Sequence, residues 1–208
     1  PPGTSRRQRQ MCIRDRLMYF GREALGSKNL LVKVLPKMSN FLKTNGPWSQ
    51  LVTLNNIQIQ NTKFDESNSE LSNIDVTPIK VPHRDEYSET AGYIIAGKNK
   101  KALFIPDIDK WEKWDKKLID LVNDFDYLLI DATFYDSEEI NRDISEIPHP
   151  LVSETTNLLN NLSKENKRKV YFIHMNHTNP MLDPDSDLSK SITNKGFNIA
   201  RLGQKLYL

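Results

Sequence analysis

The chain has 208 residues, of which 38% are hydrophobic and 27% charged, with a formal net charge of +2, an ordinary globular composition that suffices for one sizeable core. Its single cysteine, Cys12, excludes a disulfide framework and a thiolate zinc cluster and fits a reducing, cytoplasmic setting, so any metal must be held by histidine and carboxylate. No apolar run approaches the roughly 20 residues needed to span a bilayer, which argues against a membrane role and for a soluble protein.

The basic charge sits at the start. Residues 1–16, PPGTSRRQRQMCIRDR, hold five arginines against Asp15 alone, a net of 5 − 1 = +4, so the rest of the chain carries 2 − 4 = −2. A basic footprint for nucleic acid therefore belongs to this tail and not to the domain. The stretch has no hydrophobic period and no signal-peptide core, and it is expected to be disordered. It reads either as a basic arm or, through MCIRDR, as a run that resembles a translated sequencing-adapter fragment, in which case the native N-terminus is not represented.

LMYFGREALGSKN, residues 17–29, reads as the end of a helix closed by Gly26, and LLVKVLP as a buried strand stopped by Pro36. KMSNFLKTN is a short helical turn ended at Gly46-Pro47, and NIQIQ alternates like a half-buried strand. Residues 61–73 are dominated by Asn, Ser, Asp and Glu and read as a polar loop. IDVTPIKVP, AGYIIAG and KALFIPD then follow in quick succession, the spacing of adjacent antiparallel strands. Trp111, Trp114, Leu118, Leu121 and Val122 make a helical stripe. FDYLLIDATF is a buried strand, LVSETTNLLNNL a helix and KVYFIH another buried strand; a last helix and the pair GFNIARL and KLYL close the chain. The order predicts an α/β layered fold with polar residues collected where strands stop.

Four of those stops share one pattern, an apolar run ending in a side chain that can bind metal: His83, Asp107, Asp131 and His174. Strands that end together would place these on a common rim, where nitrogen and oxygen donors suit Zn²⁺, Fe or Mn. Each also has a plainer reading. A strand-end Asp ordinarily caps the next helix, and a lone His is usually a satisfied structural residue.

The segments VPHRDEYSETAGYII, ALFIPDIDKW, LLIDATF, RDISEIPHP and YFIHMNHTNP resemble the successive C-terminal motifs of the metallo-β-lactamase-fold superfamily. Within it they are most similar to the branch of the pyrroloquinoline quinone biosynthesis B protein, over about residues 17–208. The resemblance implies a partial αββα sandwich lacking its N-terminal strands and a metal-dependent hydrolase acting on a small molecule. The ion it implies is zinc, binuclear in intact relatives, with iron or manganese as alternatives. Carried over by position, it makes His83, Asp107 and His174 metal ligands, Asp107 the bridging carboxylate, and His149 a proton donor or orienting group beside the substrate. His177 stands where some relatives have Asn and falls in the pocket or behind a ligand. Asp131 orients a ligand imidazole or makes a structural turn, and Tyr87, Ser88 and Glu89 shape the pocket mouth. The family's first metal motif, His-x-His-x-Asp-His, has no counterpart in this chain, so at most half a binuclear site, weak metal binding and little turnover are expected. A role in quinone-cofactor biosynthesis and a non-catalytic binding module are the alternative functions; oligomerisation is left open.

Overall fold

The computed structural model describes residues 16–71, 73–139 and 147–208. All of the N-terminal tail but Arg16, and the RDISE run at 142–146, lie outside the described residues. The chain divides into two packed units, Pro1–Lys63 with Glu86–Glu89, and Phe64–Asp85 with Thr90–Leu208.

In the first unit, β1 (Leu30–Val34) and β2 (Ile57–Asn61) pair in parallel. Parallel neighbours need a crossover connection, and α1 (Pro36–Thr44) and α2 (Ser49–Thr53) provide it. Pro36 both stops the strand and opens the helix, because its fixed φ suits the first helical turn, where its missing N–H is no loss. Leu42, Leu51 and Ile57 are buried at the centre, with Val34 and Phe41 around them. The helix end expected over 17–29 stops well before Gly26: Arg16 and Leu17 are helical and one 3-10 turn, Met18–Phe20, follows. Gly21 goes extended (ψ 174°) and Gly26 takes φ 54°, a left-handed conformation that glycine adopts at no steric cost, so the chain turns instead of continuing.

In the second unit, seven strands lie in chain order: β3 (Asn68–Leu71), β4 (Ile74–Lys80), β5 (Ala91–Ala96), β6 (Lys101–Ile105), β7 (Tyr127–Asp131), β8 (Val170–Ile173) and β9 (Asn198–Ile199). Pairing is antiparallel from β3 to β6 and parallel from β6 to β9. Two reversals separate β4 from β6, so β4, β6, β7 and β8 run the same way and finish at one edge of the sheet. Leu103, Ile105, Leu128, Ile130, Val170 and Phe172 have no exposed surface. They pack with Trp111, Leu118, Val122, Val152, Leu159 and Ile192 in one core, each large side chain contributing about 1.5–3 kcal/mol by leaving water. Helices α3 (Leu118–Leu121), α4 (Val152–Leu158), α5 (Lys164–Lys167) and α6 (Asp187–Asn194) complete the unit.

Three sequence expectations are corrected here. The stripe at 108–124 is buried as its period suggests but is not one helix: a 3-10 turn at Trp111–Lys113, the single turn of α3 and a 3-10 turn at Val122–Asp124 replace it. Tertiary hydrogen bonds override the local pattern, since the Trp111 indole donates to Thr155 Oγ1 (2.9 Å) and the Trp114 indole to the Lys80 carbonyl (3.0 Å). The polar loop at 61–73 contains the edge strand β3, paired through its backbone, for which polar side chains are suitable. Of the closing pair, only Asn198–Ile199 is a strand; KLYL forms none. Among the described residues, no helix is long and apolar enough to cross a membrane.

Candidate metal centre

The shared edge carries the chemistry. His83 follows β4 by three residues and Asp107 follows β6 by two; Asp131 is the last residue of β7, and His174 is the first after β8. Backbone bonds lock these ends together: Asp109 N–H donates to the Pro82 carbonyl (2.7 Å) and Ala132 N–H to the Ile173 carbonyl (2.9 Å). His174 itself sits at φ 61°, a region that non-glycine residues enter at a cost of about 1–3 kcal/mol and that clusters at functional sites.

Two groups of donors converge, each with its ligand atoms within 4.8 Å of one another: His83, Asp107 and His149, and Asp107, Asp131 and His174. Asp107 belongs to both. Within the first, His83 Nε2 lies 2.6 Å from Asp107 Oδ1 and His149 Nδ1 lies 3.4 Å from it. His83 Nε2 and Asp107 Oδ1 are buried atoms, and neither has a hydrogen-bond partner. Buried polar atoms are ordinarily satisfied. Imidazole nitrogen and carboxylate oxygen are donors of the kind that zinc, iron and manganese accept.

Asp131 is the buried hub of the other group, with no exposed surface. Its carboxylate accepts from the backbone N–H of Ile108 (3.2 Å) and of Thr133 (2.8 Å), from the Thr133 hydroxyl (2.6 Å) and from His149 Nδ1 (2.8 Å). Burial alone would raise its pKa; the hydrogen bonds from His149 and Thr133, with the His174 imidazole close by, overcome that and hold it down at about 2. At His83 burial works to lower the pKa, and the adjacent Asp107 carboxylate outweighs it, so the value rises. His149 is 9% exposed, edge-on to Phe134 and 5.3 Å from His83 between ring centres.

The structure thus brings together His83, Asp107, Asp131, His149 and His174. His177 is exposed on the loop after β8 and is in neither donor group. Tyr87 and Glu89 pack in the first unit, Tyr87 edge-on to Phe41. There Glu89 accepts from the backbone N–H of Lys37 (2.9 Å) and Met38 (3.2 Å), compensating the positive start of α1. Thr133 was missed by the sequence reading. Its signal is the Asp-x-Thr spacing at a strand end, where the Asp oxygen takes the N–H two residues on and fixes the hydroxyl beside it.

A family model described as "Beta-lactamase superfamily domain" matches residues 23–175. Coenzyme PQQ synthesis protein B of Pseudomonas putida (strain GB-1) is 29% identical over 100 residues, 45% of this chain and 33% of that protein. The protein of the same name from Methylococcus capsulatus is 28% identical over 140 residues, 61% of this chain and 44% of that protein. The matched stretch therefore spans between a third and under half of these relatives' own length. Among solved structures, Zn(2+)-bound PqqB from Methylobacterium extorquens superposes with a TM-score of 0.70 at 19% identity, covering 92% of this chain and 68% of that one. Unliganded yeast PDE1 gives 0.52 at 14%, covering 86% and 60%. The α/β fold expected from the motifs is the fold these structures share.

Proposed function

The chain belongs to the beta-lactamase superfamily, and on that premise we propose that the rim is a divalent metal centre of the hydrolase type, with zinc as the resident ion. The observation that carries this reading is the buried pair His83 Nε2 and Asp107 Oδ1, which face each other without a hydrogen bond. His83, Asp107 and His174 would hold the metal, which when bound supplies Lewis acidity toward a scissile bond and acidifies a water toward neutrality. His149 turns Nδ1 to Asp131 and keeps Nε2 for the substrate. The Asp131 carboxylate fixes the orientation of the ring, from which a proton could be given to a leaving group.

A second reading is favoured by the matches to coenzyme PQQ synthesis protein B: the same rim would serve a step of cofactor biosynthesis, with an iron form acting on a small precursor in the presence of oxygen. One experiment separates the two. The chain is loaded with zinc or iron and assayed for phosphodiester and thioester hydrolysis and for oxygen uptake. Zinc-dependent hydrolysis is expected, slow in a chain without the His-x-His-x-Asp-His run, and lowered further by His149→Ala with the metal retained. Oxygen uptake by the iron form without hydrolysis by the zinc form would favour the second reading, and hydrolysis indifferent to metal would contradict both.

A further inference from the structure

Thr133 is 6% exposed, and its hydroxyl oxygen stands among three polar side chains: Asp131 Oδ1 at 2.6 Å, His174 Nδ1 at 3.1 Å and His149 Nδ1 at 3.2 Å. A hydroxyl has one proton to give. Asp131 also accepts the backbone N–H groups of Ile108 and Thr133, so it is the acceptor in this set, and the short bond takes the hydroxyl proton. Toward the imidazoles Thr133 can then only accept. The proton between Thr133 and His174 must come from His174 Nδ1, which leaves Nε2 of that ring as the unprotonated nitrogen.

The two histidines depend on Asp131 differently. His149 Nδ1 reaches Asp131 Oδ2 directly at 2.8 Å, whereas His174 Nδ1 is 3.9 Å from Asp131 Oδ1, too far for a hydrogen bond. We propose that Thr133 is a positioning residue that relays the Asp131 carboxylate to His174, fixing His174 as the Nδ1–H tautomer with Nε2 presented to the rim. From the preceding section this rests only on His174 being a ligand; a ligating nitrogen must be unprotonated, and the partner of the other ring nitrogen decides which one that is. The hydroxyl is held from behind as well. The Thr133 carbonyl accepts from Asn176 N–H at 3.0 Å, and the buried Asn179 side chain donates to the Ala132 carbonyl at 2.8 Å. These bonds tie the turn after β7 to the loop that follows His174.

The test is ¹⁵N imidazole NMR on the metal-free chain near pH 8, comparing wild type with Thr133→Ser and Thr133→Val. His174 is expected as the Nδ1–H tautomer in wild type and in Thr133→Ser, and to lose that preference in Thr133→Val. His149, with its direct carboxylate bond, should keep its tautomer in all three and so serves as the internal control. An Nε2–H tautomer for His174 in wild type overturns the proposal without any variant, and an unchanged His174 signal in Thr133→Val overturns it too. Zinc affinity should fall about 10–100-fold in Thr133→Val and be restored in Thr133→Ser. Because the tautomers are read without metal, a chain that binds no zinc would sink the metal reading while leaving this result to stand or fall separately.

Discussion

Asp131→Ala is expected to destabilise the second unit by about 3–5 kcal/mol, the range for removing one partner of a buried charged pair. Four donors lose their acceptor at once: the N–H groups of Ile108 and Thr133, the Thr133 hydroxyl and His149 Nδ1. Each is buried or nearly so, and water cannot replace the carboxylate without opening the site. The same group sets an acid limit. Its folded pKa, about 2, lies below the ordinary value of 3.8, so its stabilisation is fully present above pH 4 and is lost as pH falls through 2. The amount is of the order of 2 kcal/mol. Urea unfolding of wild type and Asp131→Asn across this range checks it: the gap between the two should narrow as pH falls from 4 to 2. A gap that stays constant would show that the Asp131 charge is not what the fold uses.

Asp107→Ala is expected to lower zinc affinity at least about 100-fold, the upper end of what losing a supporting group behind a ligand costs. Asp107 belongs to both donor groups. Any ion bound at either group loses a charged oxygen, and His83 loses the carboxylate 2.6 Å from its Nε2. The fold should tolerate this change far better than Asp131→Ala. Asp107 has a side chain 36% exposed, against none for Asp131, and its deletion leaves no comparable set of buried donors unmatched. Calorimetric zinc titration beside thermal melting separates the two effects, and equal losses of affinity and stability would contradict this division of roles.

The strand ends were legible because a buried strand in a mostly parallel sheet is a continuous apolar run, and the first polar residue after it marks the edge. LLI before Asp131 and YFI before His174 are of this kind. That His83 shares the edge could be read only with the antiparallel pairing of β4, β5 and β6, which the short connections suggested. The network behind the rim was not legible. Thr133 and Asn179 are polar residues near strand ends, ordinarily turn formers, and their function comes from contacts 41 and 47 residues distant in sequence. The contact of Glu89 with the start of α1 was not legible either, since its partners lie 51 and 52 residues away in sequence. At 108–124 the period correctly marked Trp111, Trp114 and Leu118 as buried, but it could not foresee that two indoles would trade helical continuity for hydrogen bonds to β4 and α4.

The proposed divalent metal lies at the shared edge of β4, β6, β7 and β8. Anomalous scattering at the zinc edge from crystals of the 208-residue chain grown with zinc tests it most directly. A zinc peak is expected between His83 and Asp107, about 2.0–2.2 Å from His83 Nε2 and from an Asp107 carboxylate oxygen. Zinc found at His177 or on surface carboxylates, with His83 and Asp107 still facing each other without it, would exclude this edge as the metal site.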